Sequence, residues 1–148
     1  MNIQNLSALA EIVSSLAIVA TLVYLGVQAR QTNELLIGGS RQASLEADLA
    51  FFSANISHPE VSARILGVSP EQMQENSLLN ILMRTREYQW FQYRSGSLDR
   101  GTFESYMLPT KRWLTTEKGA AFWRVLQSSF DPEFVDHING SLAAPAAD

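Results

Sequence analysis

The chain has 148 residues, no cysteine and a formal charge of −4. Disulfide scaffolding, thiol catalysis and thiolate metal sites are thereby excluded, and the acidic balance argues against nonspecific nucleic-acid binding, which needs a basic surface. Before Arg30 the only charged side chain is Glu11; all eleven Lys and Arg residues come from Arg30 onward, with the other fourteen acids. An apolar leader therefore precedes an ordinary polar domain, long enough to bury its own core.

From Ile12 to Ala29 the chain carries 18 consecutive uncharged residues. As a helix they span roughly 27 Å at about 1.5 Å per residue, close to a hydrocarbon core of about 30 Å. Met1 to Ala10 are also uncharged and extend the run, with Glu11 near an interface or facing a partner helix. Tyr24 suits an interfacial position near the other end. A cleaved signal peptide is not expected, because a basic n-region and a small-residue cleavage site are both missing. A buried core helix is the competing reading, since Ser14, Ser15 and Thr21 dilute the hydrophobicity. The expectation is a single-pass inner (cytoplasmic) membrane anchor over residues 1–30, with membrane lipid as its partner. Arg30 and Arg41 flank its C-terminal side, which predicts an outside N-terminus and a cytoplasmic domain.

One face of this helix is small: Ala10, Ser14, Ala17 and Thr21 recur at i, i+4, i+7 and i+11. Such stripes let backbones approach closely in lipid, where packing drives association. The stripe is a candidate packing seam for a homo-oligomer or a membrane-protein partner, although small residues are also simply common in membrane helices.

The remaining chain, residues 31–142, reads as a helical cytoplasmic domain. Gly38-Gly39 permits a kink or break. Leu45, Leu49, Phe52 and Ile56 recur at helical spacing, so the leader can run on to about Ser57. Pro59 to Gly67, with Val61, Ile65 and Leu66, predicts a short helical turn. Ser69-Pro70-Glu71-Gln72 is a capping-box start for a helix running to Arg94, with Leu78, Leu79, Leu82, Met83, Trp90 and Phe91 as apolar surface. Asp99 caps a helix to Leu114 that Pro109 should kink or interrupt. Thr115 or Thr116 caps another through Ser128. Asp131-Pro132-Glu133 starts the last, which Asn139-Gly140 should end. Residues 143–148 form an Ala/Pro-rich tail expected to be mobile. With strand alternation missing, the fold class is all-α: a long N-terminal, transmembrane helix followed by a small helical bundle. Trp113, Phe122 and Trp123 are expected in the core.

The search for chemistry yields little. The two histidines, His58 and His137, lack a second ligand at metal-binding spacing, and neither Gly38-Gly39 nor Gly96 and Gly101 makes a phosphate loop. No catalytic residue, metal or cofactor is expected. The densest polar run is Arg84 to Arg94. Arg84, Glu87, Tyr88 and Arg94 are the candidate ligand-binding residues, with arginine as the clamp for a small anion. The alternative is a Glu87–arginine network that locks helices together around satisfied tyrosines. Lys111-Arg112 and Arg124 could extend a basic patch or form a solvated face.

Several stretches together resemble a broad group of small, uncharacterised bacterial proteins with an N-terminal membrane helix. They are Leu22-Val23-Tyr24-Leu25-Gly26-Val27-Gln28-Ala29-Arg30-Gln31-Thr32-Asn33; Tyr93-Arg94 followed by Gly96, Leu98 and Asp99; Arg112-Trp113-Leu114; Gly119 with Trp123; and Pro132-Glu133-Phe134. The resemblance implies architecture and brings neither an activity nor a catalytic residue. Three functional readings follow: a membrane-anchored scaffold that self-associates or joins a larger membrane complex, a small-anion sensor around Glu87, and an enzyme, for which a catalytic constellation is missing.

Overall fold

A computed structural model describes residues 3–143, with side chains from Glu11 onward. It contains only helices among the described residues: α1 (Ile3–Ser57), α2 (Pro59–Leu66), α3 (Pro70–Arg94), α4 (Arg100–Leu114), α5 (Glu117–Leu126), a short 3₁₀ turn (Gln127–Ser129) and α6 (Pro132–Ala143). The all-α expectation holds. The chain divides into two compact units, Met1–Gln42 and Ala43–Asp148.

The first unit is α1 up to Gln42. Its large apolar side chains from Ile12 to Val27 are between 51% and 64% exposed, and they occur around the helix except on the face of Ser14, Ala17 and Thr21. It is long and apolar enough to cross a membrane. Two hydroxyls in this stretch bond within the helix: Ser15 donates to the Glu11 carbonyl and Thr21 to the Ala17 carbonyl, both at 2.8 Å. Gly38-Gly39 does not break α1; two glycines cost about 2 kcal/mol of propensity, which neighbouring good helix formers such as Leu35, Leu36 and Arg41 offset.

The second unit is a bundle whose core is Met83, Trp90, Phe103, Met107, Leu114, Phe122, Trp123, Phe130, Phe134 and Ile138. Trp113 packs against this core without being fully buried, and Leu78 is 60% exposed rather than interior. Leu45, Leu49, Phe52 and Ile56 make one half-buried face of the last part of α1. The helix starts follow their caps. Ser69 Oγ accepts from the Gln72 N–H at 3.1 Å, Asp99 Oδ1 from the Thr102 N–H at 3.0 Å and Thr116 Oγ1 from the Gly119 N–H at 3.1 Å. Hydrogen bonds from the Thr102 hydroxyl and N–H hold the Asp99 carboxyl below its ordinary pKa. Gly67 ends α2 and Gly96 follows α3, both at positive φ (68° and 76°), a region open to glycine at no steric cost.

Three boundaries differ from expectation. Pro109 does not interrupt α4: it removes one N–H bond to the Ser105 carbonyl, while Met107 and Leu114 on either side are buried and hold the helix to the core. The α5 helix stops at Leu126, and a 3₁₀ turn carries the chain to Phe130, whose ring enters the core. Finally, α6 passes through Asn139-Gly140 to Ala143. Gly140 keeps a negative φ there, and Leu142 packs on the core, so burial outweighs the roughly 1 kcal/mol cost of an internal glycine.

Candidate functional site

Of the four candidate ligand-binding residues, the fold brings Arg84 and Glu87 together and directs Arg94 elsewhere. Glu87 is 9% exposed. Arg84 Nη1 donates to its Oε2 at 2.9 Å, and the Asp131 N–H donates to its Oε1 at 2.7 Å. Arg84 also donates through Nη2 to the Ser129 carbonyl at 3.0 Å and lies over the Phe130 ring at 4.5 Å. Its Nε is 3.2 Å from Asp48 Oδ2, an ion pair without hydrogen-bond alignment. The pair thus joins the last part of α1, α3 and the chain entering α6. Two carboxylates and a carbonyl already surround the guanidinium, and that environment repels an anionic ligand.

Arg94 Nη1 donates to Glu133 Oε2 on α6 at 2.7 Å and its guanidinium covers Trp90 at 5.1 Å. Tyr88 is half-buried on α3, and no polar contact joins it to Arg84, Glu87 or Arg94. Arg86 turns to α4, donating through Nε to the buried Thr110 hydroxyl at 2.9 Å. Desolvation there lowers the Arg86 pKa. Each arginine of the run thus ties α3 to a different neighbour. Among the described residues, no group of three or more His, Asp or Glu is placed to hold a metal ion.

Of the small stripe on α1, Ser14, Ala17 and Thr21 are exposed, while Ala10 lies outside the residues whose side chains are described. Ala17 and Thr21, with Ile18 and Leu22, line a shallow hollow of about 250 Å³.

A further concavity is one that sequence reasoning missed. A half-open cavity of about 730 Å³ lies within the second unit, between the last turns of α1, α2, the first half of α3, and α5. Its walls are mainly apolar: Phe51 and Phe52 from α1, Ile65 and Leu66 from α2, Met73 and Leu79 from α3, Phe122 and Val125 from α5. At its lip Ile65 and Val125 are 75% and 73% exposed. Glu75 and Lys118 also line it and form an ion pair with each other. Ser77 is fully buried, borders the cavity and has no hydrogen-bond partner for its hydroxyl among the described residues. Nearby in the fold, Ser62 donates to Asn55 Oδ1 at 2.7 Å. The only signal in the sequence was the apolar Val61, Ile65 and Leu66 on a segment too short to bury them all. No known protein family, curated protein or solved structure shows a significant match to the chain.

Proposed function

We propose that this protein is a membrane-anchored helical interaction protein, whose α1 crosses the inner membrane and whose helical bundle lies in the cytoplasm. The observation that carries the reading is the exposure of Ile12 to Val27 around α1 on all but the face of Ser14, Ala17 and Thr21. A one-sided apolar stripe would suit a soluble partner or the membrane surface, whereas a helix uncharged all round and apolar over most of its surface suits lipid. Covering these ten side chains is worth on the order of 10 kcal/mol, taking half of each as still exposed. The internal bonds of Ser15 and Thr21 fit lipid as well, since no water is available there to satisfy a hydroxyl. Arg30 and Arg41 on the C-terminal side favour the cytoplasmic placement of the bundle. The proposed role is scaffolding, by self-association or as a subunit of a larger membrane complex.

Cell fractionation tests the reading. The full chain should stay with membranes through a high-salt wash, and a chain beginning at Thr32 should be released as soluble protein. Full-length protein that is monodisperse without detergent would overturn it.

A further inference from the structure

Asn139 is the one asparagine in the chain that is followed by glycine, and this pair carries its own chemistry. The backbone nitrogen of Gly140 can attack Asn139 Cγ, forming a C–N bond while the side-chain nitrogen leaves as ammonia and takes up the proton. Water then opens the cyclic imide at either carbonyl and leaves aspartate or isoaspartate, with no oxidant or cofactor consumed. Glycine, lacking a Cβ, lets the nitrogen approach and the backbone take the non-helical shape that attack needs. The fold exposes this pair and also restrains it. Asn139 and Gly140 lie exposed near the end of α6. Trp123 Nε1 donates to Asn139 Oδ1 at 2.8 Å, and Asn139 Nδ2 donates to Gln127 Oε1 at 3.4 Å, so the side-chain amide is held at both atoms. Helical backbone aims the Gly140 N–H along α6 and away from Cγ. The restraint is weak at this end. Gly140 costs about 1 kcal/mol of helix propensity, Gly140 to Ala143 bring no basic side chain to the helix C-terminus, and half-buried Leu142 is what pins the turn to the core.

We propose that Asn139 is a site of spontaneous deamidation, reached by opening of the last turn of α6 while the rest of the bundle stays folded. Helix ends open at a small fraction of the global unfolding free energy, and opening this turn frees both the Gly140 nitrogen and the Asn139 side chain. The products change the fold locally. Isoaspartate adds a methylene to the main chain, so α6 cannot continue through it and Leu142 leaves the core. Aspartate keeps an acceptor for Trp123, loses the donor to Gln127 and sets a negative charge near the helix C-terminus, where it is unfavourable. Asn76, followed by Ser77, has the next smallest neighbour but lies inside α3, which makes it the internal reference. The inference does not depend on α1 crossing a membrane.

The test ages the full chain in detergent micelles at mildly alkaline pH. The peptide from Val125 to Asp148 is followed by mass and by enzymatic methylation of isoaspartate. Asn139 should convert ahead of Asn76 in the folded protein. Urea below the unfolding transition should barely change the rate, because opening one turn exposes little surface. Gly140→Ala should slow conversion about tenfold or more, and Leu142→Ala, which loosens the turn, should speed it severalfold. Gln127→Ala, a change outside the core, should also speed it. Asn139 still intact in the folded protein after the urea-unfolded chain has converted would overturn the site, as would conversion of Asn76 first. A rate that climbs with urea in step with the unfolded fraction, or one that Leu142→Ala leaves unchanged, would overturn the local route. An unchanged rate in Gln127→Ala would overturn the restraint assigned to that hydrogen bond.

Discussion

Glu87 shows how one carboxylate holds separate parts of the bundle. It accepts from Arg84 and from the Asp131 N–H, so its loss strands a partly buried guanidinium and a backbone donor at the start of α6. Glu87→Ala should therefore cost about 2–4 kcal/mol, read as a lower midpoint in urea unfolding. An unchanged midpoint would remove Glu87 from the account of stability. His137 gives a pH dependence. Its ring sits 5.5 Å from Phe103 and 6.4 Å from Trp90, and Nε2 is buried without a hydrogen-bond partner. Burial, with a smaller contribution from the charge of Lys111, pushes its pKa below the ordinary value. The unfolded chain then takes up a proton at a higher pH than the folded one. Stability present above the unfolded pKa of about 6.5 is lost as pH falls from there through the folded value. Unfolding midpoints should drop as pH falls below about 7, and His137→Phe should flatten that drop. Arg84, three residues before Glu87 on the same helix, was legible as its partner, but the Asp131 N–H and the cage around His137 were not, since Asp131 and Phe103 are brought there only by packing.

At the scale of the element, two glycines make opposite predictions. Gly119 sits in the first turn of α5, and an added Cβ would lie 2.2 Å from the Trp113 carbonyl oxygen and 3.0 Å from Leu114 Cα. These are backbone atoms that cannot swing aside, so α5 must back away from the end of α4. Gly119→Ala should destabilise the bundle by about 2 kcal/mol or more, as overpacked sites do. Gly140 has helical backbone and open space around it, so Gly140→Ala should raise stability by about 0.5–1 kcal/mol. Thermal melts of the two variants should move in opposite directions, and a shared direction would refute the packing described for α4 and α5. The caps Ser69, Asp99 and Thr116 were readable beforehand because they act on N–H groups two or three residues away. The close approach at Gly119 was not, because it depends on where α4 ends in space.

At the scale of the whole molecule, the proposed anchor and its assembly are separable. Ala17→Leu keeps helix propensity and hydrophobicity but adds bulk beside the hollow formed with Ile18, Thr21 and Leu22. If Ser14, Ala17 and Thr21 form the seam between membrane helices, the oligomer should loosen or change size in mild detergent while membrane insertion persists. Hydroxyl contacts there add only about 0.6 kcal/mol each, so close backbone packing carries the association. An assembly unchanged by both Ala17→Leu and Ser14→Leu would move the contact to the helical bundle.

The amino-acid sequence by itself determined the all-α class, the apolar leader, most helix starts and the core placement of Phe122 and Trp123. These follow from composition, 3.6-residue periodicity and capping, which act over one or two turns. It left open whether α1 continues through Gly38-Gly39 and did not reveal the extension of α6 past Gly140, where propensity and context compete within about 1 kcal/mol per residue. The tertiary structure alone decided that Arg84, Arg86 and Arg94 serve three different neighbours, because each partner lies far away along the chain. It alone decided that Ser77 is buried, without a partner among the described residues, beside a cavity walled by four helices. A void is a property of packed surfaces, and no single segment encodes it.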